Sequence, residues 1–65
     1  MRNRVRELRK QLNLTQEEFA KSLGVSRQTV IAIENDKYNP TLVLAIKMAR
    51  LLNKSVEMVF ILEQN

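Results

Sequence analysis

Apolar residues recur at helical spacing near the start of the chain. Val5, Leu8 and Leu12 fall on one side of a helix over residues 2–12. Asn13 follows this stripe, and asparagine tolerates the left-handed backbone conformation that ends many helices. The pattern predicts a first helix that ends in a turn at Asn13.

Two further helices with a very short connection follow. Thr15 and Glu18 have the spacing of a capping box, which begins a second helix. Gly24, the only glycine, suits the left-handed position after that helix, and Ser26 can cap a third helix two residues later. This spacing is typical of a helix-turn-helix motif over residues 16–35. The predicted buried positions are Phe19, Ala20 and Leu23 in the second helix, and Val30 and Ile33 in the third.

The C-terminal part of the chain is apolar on more than one side. Pro40 and Thr41 suit the start of a fourth helix, which should run to about Leu52. Ser55 can cap a short fifth helix. In the fourth helix Leu42, Ala45, Ile46 and Ala49 fall on one side, and Leu44, Met48 and Leu51 fall nearly opposite. Such a helix is central in its domain or is shared with a partner.

Composition narrows the fold and the chemistry. The chain has 65 residues, 45% of them apolar, with one Gly and one Pro, which favours an all-α fold of about five helices in one domain over residues 1–65. Without Cys or His it lacks the common zinc ligands, so we expect no metal and no cofactor. No nucleophile, base and orienting group can be assembled, so we do not expect an enzyme.

The charge points to a polyanionic partner. Eleven Lys and Arg against seven Asp and Glu give a net charge of +4, and the pI is about 10.0. Of these cations, Arg2, Arg4, Arg6 and Lys10 lie in the predicted first helix, where a solvated face is the preferred interpretation over phosphate contact. No apolar run approaches the roughly 20 residues of a membrane span. We therefore expect no membrane partner and a cytoplasmic, nucleoid-associated protein.

The third helix divides into an apolar side and a polar side. Val30 and Ile33 can reach the core, with Thr29 at the edge. The other side carries Arg27, Gln28, Ile31, Ala32 and Asn35. Arginine and glutamine can pair with guanine and adenine edges, and an aliphatic side chain can contact the thymine methyl group. A solvated surface helix is the alternative, but the position after a tight turn favours a face that reads DNA.

The segment QEEFAKSLGVSRQTVIAIEN, residues 16–35, resembles the helix-turn-helix of phage-repressor and Cro-like regulators of the Xre type. The flanking LRKQLNLTQ and ENDKYNP also look like that family, so the resemblance covers essentially the whole chain. It implies a phage-repressor-like fold that binds double-stranded DNA, with Gln16 on a phosphate and Arg27 and Gln28 as the leading base readers. The predicted DNA-binding residues are Gln16, Ser26, Arg27, Gln28, Thr29, Ile31, Ala32, Lys37, Tyr38 and Asn39.

Two opposite charges are predicted to meet at the core. Arg9 falls at the edge of the stripe that contains Val5, and Glu34 falls at the edge of the stripe that contains Val30. We predict an ion pair between Arg9 and Glu34 that joins the first helix to the third. Family members similar to this chain also use such a pair.

The C-terminal tail is the predicted dimer contact. One helix-turn-helix reads only a few base pairs, so such proteins commonly dimerise to reach two half-sites. The predicted interface residues are Val59, Phe60, Ile61 and Leu62. We predict a C2 homodimer with a dimerisation segment over about residues 55–65, whose short C-terminal β-strand pairs with its twofold mate. The alternative is a tail that folds back over the fourth and fifth helices of one subunit.

These features together predict a sequence-specific transcriptional regulator. The preferred interpretation is a repressor that binds a pseudo-palindromic operator as a homodimer, with the third helix in the major groove. A chain of 65 residues leaves no room for a separate effector or activation domain, so we expect repression and no small-molecule effector. The alternative is an antitoxin-type module that masks a toxin partner and autoregulates its operon.

Overall fold

The computed structural model describes residues 1–63. In chain order the elements are β1 (Arg2–Asn3), α1 (Val5–Gln11), α2 (Gln16–Leu23), α3 (Arg27–Glu34), α4 (Leu42–Leu51), α5 (Val56–Val59) and β2 (Phe60–Ile61). The predicted helical fold with a short C-terminal strand is confirmed. Within residues 1–63 no helix is both long enough and apolar enough to cross a membrane.

Side-chain caps begin the helices from α2 onward. Thr15 forms the predicted capping box, since its Oγ1 accepts from the Glu18 N–H at 3.0 Å and the Glu18 carboxylate accepts from the Thr15 N–H at 2.8 Å. Ser26, Thr41 and Ser55 cap α3, α4 and α5, each accepting from a backbone N–H three residues on. Each cap satisfies an N–H group that helix geometry leaves unpaired, so each helix begins beside its capping residue.

Left-handed residues end the first two helices. Asn13 has a φ of 59° and Gly24 has a φ of 76°, as their positions in the sequence predict. The Gly24 N–H donates to the Lys21 carbonyl oxygen at 3.2 Å, which satisfies one of the last carbonyl groups of α2. The chain therefore reverses sharply between α2 and α3.

One apolar core joins all the helices. The largest fully buried side chains include Phe19 of α2, Ile33 of α3 and Met48 of α4. The rest of the core consists of Val5, Leu8, Ala20, Leu23, Val30, Ala45, Ala49, Leu52, Val59 and Phe60. Because α2 and α3 both contribute to this core, their relative orientation is set by packing rather than by the turn alone.

The first helix begins later than predicted, because the residues before it form a strand. β1 pairs antiparallel with β2, with Arg2 opposite Ile61 and Asn3 opposite Phe60. α1 therefore starts at Val5 rather than at residue 2. The C-terminal strand thus has a partner within its own chain, and its pairing with a second copy stays a prediction.

Leu12 also lies differently from the predicted stripe. It is 46% exposed, whereas Leu8 is 3% exposed. α1 ends at Gln11, and the turn through Leu12 and Asn13 moves the Leu12 side chain away from the core. Arg9 takes a buried position on α1 beside Leu8 instead.

α4 is apolar both on its buried side and on its exposed side. The buried residues are Ala45, Met48 and Ala49. Leu42 is 72% exposed, Val43 65%, Leu51 39% and Ile46 37%, although Leu42 and Ile46 were predicted to share a stripe with the two alanines. α4 therefore contributes to the core through small residues and Met48, and it leaves several branched apolar side chains outside.

Candidate nucleic-acid interface

The turn between α2 and α3 sets the direction in which α3 leaves the core. The Val25 N–H donates to the Ala20 carbonyl oxygen at 3.1 Å, and the Val25 side chain packs against the core. Ser26 Oγ accepts from the Thr29 N–H at 3.1 Å and lies 2.9 Å from the Thr29 hydroxyl. Two neighbouring residues therefore fix the start of α3: Ser26 caps the helix, and Val25 packs against the core.

The first turn of α3 presents polar side chains to solvent. Arg27 and Gln28 are exposed, whereas Val30 and Ile33 are 0% and 1% exposed. Thr29, Ile31 and Ala32 are half-buried at the margin between the two sides. α3 thus has an apolar side in the core and an outer side whose arginine and glutamine have the donor geometry that base edges require.

A buried carboxylate joins α3 to α1. The Glu34 side chain is 0% exposed and the Arg9 side chain is 7% exposed. Arg9 Nε donates to Glu34 Oε2 at 2.7 Å, and Arg9 Nη2 donates to Glu34 Oε1 at 3.3 Å. Arg9 Nη1 donates to the Leu14 carbonyl oxygen at 2.6 Å. The structure thus brings the two residues of the predicted ion pair into direct contact. Through the Leu14 carbonyl oxygen, the segment between α1 and α2 also joins this cluster.

Two opposing effects act on the carboxyl group of Glu34. Burial by itself raises its pKa, whereas hydrogen bonds from Arg9, Gln16 and Arg6 and the charge of Arg9 lower it. The lowering effects are stronger, so the pKa of Glu34 lies below its ordinary value. The buried group is therefore an ionised carboxylate at neutral pH, compensated by arginine.

Arg6 belongs to this cluster, whereas its position in the sequence predicts a solvated face. Its Nε lies 3.5 Å from Glu34 Oε1, and its Nη2 donates to Asn35 Oδ1 at 2.6 Å. Half of the Arg6 side chain remains exposed. Arg6 precedes Arg9 by three residues, which places the two on neighbouring positions of one helical face. That spacing is the sequence signal that could have identified Arg6.

A basic groove lies where α1, α2 and α3 meet. Its lining is Arg6, Arg9, Lys10, Thr15, Gln16, Glu17 and Arg27. Gln16, the predicted phosphate contact, is half-buried at the start of α2, and its Nε2 donates to Glu34 Oε1 at 3.1 Å. A side-chain amide has two N–H donors, so the same group retains one for a ligand. Positive charge along such a groove suits the phosphate backbone of nucleic acid.

The loop after α3 carries the remaining predicted contacts. Lys37, Tyr38 and Asn39 are all exposed. Asp36 before them is left-handed, with a φ of 58°, and the Lys37 N–H donates to the Ala32 carbonyl oxygen at 2.8 Å. The loop therefore leaves the end of α3 in a fixed direction, with three donor-bearing side chains in solvent.

The residues of the predicted dimer contact fall into two groups. Val59 is 0% exposed and Phe60 is 7% exposed, so both side chains lie in the core of their own chain. Ile61 is 42% exposed and Leu62 is 75% exposed. Only the last two therefore present apolar side chains that a second protein could cover.

These observations define a class of protein. Two helices joined by a tight turn, an exposed Arg and Gln in the first turn of the second helix, and a basic groove beside them are the features of a helix-turn-helix DNA-binding fold. In residues 1–63 no three His, Cys, Asp or Glu side chains gather as ligands for a metal ion.

Comparison with known proteins agrees with this class. The pattern of the helix-turn-helix family matches residues 5–59. A protein of Methanothermobacter thermautotrophicus is 50% identical over an alignment of 66 positions, which covers 100% of this chain and 96% of that protein. A protein of Archaeoglobus fulgidus is 48% identical over 64 residues, which cover 98% of this chain and 90% of that protein. Both are described as uncharacterized HTH-type transcriptional regulators.

Solved structures share the fold. The restriction-modification controller protein C.AhdI from Aeromonas hydrophila superposes with a TM-score of 0.79 at 35% identity, covering 88% of this chain and 86% of that chain. The hypothetical transcription factor NHTF from Neisseria superposes with a TM-score of 0.75 at 31% identity, covering 83% of this chain and 62% of that chain. The chain belongs to the Xre-like helix-turn-helix family of transcriptional regulators, which confirms the resemblance noted in its sequence.

Proposed function

We propose that the protein is a repressor that binds a pseudo-palindromic operator in double-stranded DNA as a C2 homodimer. The observation that carries the proposal is the position of Arg27 and Gln28. Both are exposed in the first turn of α3, on a helix whose opposite side is fixed in the core by Val30 and Ile33. A helix held in this way can enter the major groove with its polar first turn against base edges.

The proposed contacts separate into sequence readout and backbone binding. Arg27 and Gln28 can form paired hydrogen bonds to guanine and adenine, and Ile31 can contact a thymine methyl group. The basic groove and the exposed loop at Lys37, Tyr38 and Asn39 supply donors for phosphates on either side of α3. Ser26, Thr29 and Ala32 complete the proposed DNA-contacting set.

The internal contacts of α3 support a reading role, because base recognition requires a fixed helix. Glu34 ties α3 to α1 through Arg9, and Asn35 accepts from Arg6. These bonds hold the C-terminal end of the helix, and none of them involves the first-turn residues Arg27 and Gln28. The outer face of α3 is thus available to DNA while the helix itself remains positioned.

An exposed apolar surface supports the homodimer. We use the name apolar face for the exposed large apolar side chains of α4, α5 and the tail taken together, which are Leu42, Val43, Ile46, Leu51, Met58, Ile61 and Leu62. They lie on more than one side of α4, since Leu51 is nearly opposite Leu42 and Val43 lines a groove with Thr29 and Tyr38. Outside this stretch the exposed large apolar side chains in residues 1–63 are Met1, Leu12 and Tyr38, so apolar exposure is concentrated in α4, α5 and the tail. Extended apolar exposure of this kind usually marks a protein contact.

A second copy of the chain is the proposed occupant of the apolar face. A pseudo-palindromic operator requires two α3 helices related by a twofold axis, which a C2 dimer supplies. β2 pairs with β1 along one edge, so its other edge can pair with β2 of a second copy. The dimer contact is then made by Ile61, Leu62 and the exposed residues of α4 and α5, while Val59 and Phe60 support it from the core.

Occupancy is the proposed mechanism of regulation. A dimer bound across a promoter excludes RNA polymerase from the same DNA, which requires no chemistry and no cofactor. The protein would therefore act at the nucleoid. A promoter–reporter assay with the selected operator tests the sign of regulation: reporter activity should fall when the protein is supplied, and a rise would replace repression with activation.

Selection of bound DNA from a random pool tests sequence recognition. We expect a symmetric site with two half-sites. Arg27→Ala and Gln28→Ala should each relax preference at one base pair per half-site, by about 1–3 kcal/mol. Lys37→Ala should weaken binding to all sequences alike and reduce the salt dependence. Uniform weakening by all three variants would contradict direct readout by α3.

Mass in solution tests the dimer. The wild type should show twice the 7.6 kDa of one chain, and Leu62→Glu should shift it toward the monomer because the new carboxylate would have to be buried. Leu12→Glu is the matched control, since Leu12 is also exposed but lies outside the apolar face. A monomeric wild type would contradict the homodimer. Recovery of a heterodimer with a small basic protein would favour the antitoxin alternative.

A further inference from the structure

Asn3 connects three separate parts of the fold. Its Oδ1 accepts from the Val5 N–H at 3.0 Å, at the start of α1. Its Nδ2 donates to the Ile33 carbonyl oxygen at 2.8 Å and to Asp36 Oδ1 at 2.8 Å, at the end of α3. Both N–H donors of the amide and its oxygen are therefore in use. No other amide in residues 1–63 makes three such side-chain contacts.

The backbone of Asn3 belongs to the small sheet. Asn3 lies opposite Phe60 in the pairing of β1 with β2, and the next residue, Arg4, donates its N–H to the Val59 carbonyl oxygen at 2.8 Å. One residue therefore links the sheet to the last turn of α3. We call this set of contacts the Asn3 bridge.

The far end of the Asn3 bridge lies beside the loop after α3, which is proposed to contact DNA phosphates. Asp36 is left-handed and directly precedes Lys37, Tyr38 and Asn39. The bond from Asn3 thus holds the point at which the loop leaves α3. The near end lies in the two-stranded sheet, where Asn3 pairs with Phe60, the neighbour of Ile61, and where β2 has an outer edge that can pair with a second copy.

We propose that Asn3 is a positioning residue that couples the dimer contact to the reading helix and so sets the operator half-site spacing that the protein accepts. The proposal rests on the proposed function, because spacing has meaning only for a dimer on DNA. Two α3 helices must lie about one turn of DNA apart, roughly 34–36 Å. A fixed connection from the dimer contact to α3 holds that separation, and a loose connection would permit several separations.

Asn3→Asp tests the bridge with almost no change in size. The new carboxylate still accepts from the Val5 N–H, a favourable position at a helix start, so α1 should form. It has no donor for the Ile33 carbonyl oxygen, and it repels the Asp36 carboxylate. The variant therefore breaks the α3 side of the bridge alone.

Asn53→Asp is the matched control. It makes the same chemical change and the same change in net charge at an exposed residue outside the apolar face. The double variant Asn3→Asp with Asp36→Asn restores one hydrogen bond with donor and acceptor exchanged, and asparagine tolerates the left-handed conformation at that position. Asn53→Asp separates the bridge from a general effect of net charge, and recovery in the double variant, which has the wild-type net charge, would assign the effect to the contact between residues 3 and 36.

The readout is binding to a series of operators that differ only in the number of base pairs between the half-sites. The wild type should prefer one spacing. Asn3→Asp should remain dimeric and retain its half-site sequence, but its preference for that spacing over a spacing one base pair longer or shorter should fall about tenfold, equivalent to about 1.4 kcal/mol. Asn53→Asp should keep the wild-type profile, and the double variant should recover most of it.

The outcomes distinguish this inference from the function on which it rests. A folded, dimeric Asn3→Asp with the wild-type spacing profile would overturn the role of Asn3 and leave the proposed function intact. A wild type without sequence preference or without a dimer would overturn the proposed function itself. If Asn3→Asp does not fold, Asn3→Ser keeps an oxygen for the Val5 N–H and removes the amide donors without adding charge, and its spacing profile decides the question in the same way.

Discussion

Glu34→Gln removes the one negative charge of the cluster that joins α1, α2 and α3, and it leaves the size of the side chain nearly unchanged. In the wild type the buried carboxylate accepts hydrogen bonds from Arg9, Gln16 and Arg6. A glutamine has one oxygen and an NH₂ group, so one acceptor is replaced by a donor that faces other donors. Arg9, which is 7% exposed, keeps its bond to the Leu14 carbonyl oxygen but loses its counter-charge.

The expected cost is large for a chain of this size. Removing one partner of a buried ion pair costs about 3–5 kcal/mol, and we expect the lower end because the remaining oxygen and the Leu14 carbonyl still accept from Arg9. At about 0.05–0.15 kcal/mol per residue, the free energy of unfolding of the whole chain is about 3–10 kcal/mol. A loss of about 3 kcal/mol corresponds to a fall in Tm of about 12–24 °C for a small domain.

Thermal unfolding followed by circular dichroism at pH 7 measures this loss, with urea unfolding as a check. Glu63→Gln is the matched control, because it removes the same charge at an exposed position and should change the free energy of unfolding by less than about 0.5 kcal/mol. A Glu34→Gln variant that melts within about 2 °C of the wild type would refute the reasoning, since that shift corresponds to only a few tenths of a kcal/mol.

Three further predictions concern pH, a cap and the turn. Because the pKa of Glu34 is lower in the folded state than its ordinary value of 4.5, its contribution to stability is complete above that pH and is lost as the pH falls through the folded pKa. Urea midpoints of the wild type should therefore fall below about pH 4.5 more steeply than those of Glu34→Gln, and parallel profiles would count against this assignment. Thr15→Ala should cost about 1 kcal/mol in urea unfolding because the Glu18 N–H loses its cap, and an unchanged midpoint would mean that the cap contributes nothing. Gly24→Ala should cost about 1–2 kcal/mol from its left-handed backbone alone, since an added Cβ meets nothing within 4 Å, and a neutral alanine would contradict the left-handed turn.

The helices could be predicted from the sequence because their boundaries depend on local chemistry. Thr15 with Glu18, Ser26 and Gly24 each act on backbone groups within a few residues, and the structure places helix starts and ends beside them. The buried sides of α2 and α3 follow from periodicity for the same reason. The contact between Arg9 and Glu34 could also be predicted from the sequence, because both charges lie at the edges of apolar stripes that must face one core.

The remaining features depend on contacts between residues far apart in the chain. β1 consists of two residues, too few for an alternating pattern, and it exists because β2 lies opposite it. The amide bonds of Asn3 reach residues 30 and 33 positions away, and nothing near Asn3 in the sequence indicates them.

α4 shows a different difficulty, because periodicity finds its apolar sides without saying which one enters the core. The structure buries Ala45 and Ala49, whose small side chains allow a close approach of neighbouring elements, and it leaves the larger Leu42 and Ile46 outside. A comparison of side-chain volumes, rather than of hydrophobicity alone, would have favoured that arrangement. α4 therefore retains exposed apolar side chains, which the proposed homodimer would cover.

The polar residues of α3 divide into those that fix the helix and those that remain available to DNA. Glu34 and Asn35 bond to α1, and the Ile33 carbonyl oxygen accepts from Asn3, so the C-terminal end of α3 is held at three successive residues. Arg27 and Gln28, at the other end, are exposed. Under the proposed function, substitutions at these first-turn positions should change base preference while leaving the free energy of unfolding nearly unchanged. Substitutions at the C-terminal end should lower the free energy of unfolding and also change the direction of the helix, because its bonds to Asn3 and α1 are made there. The C-terminal end of α3 is thus constrained by stability, and the first turn by the proposed contact with DNA.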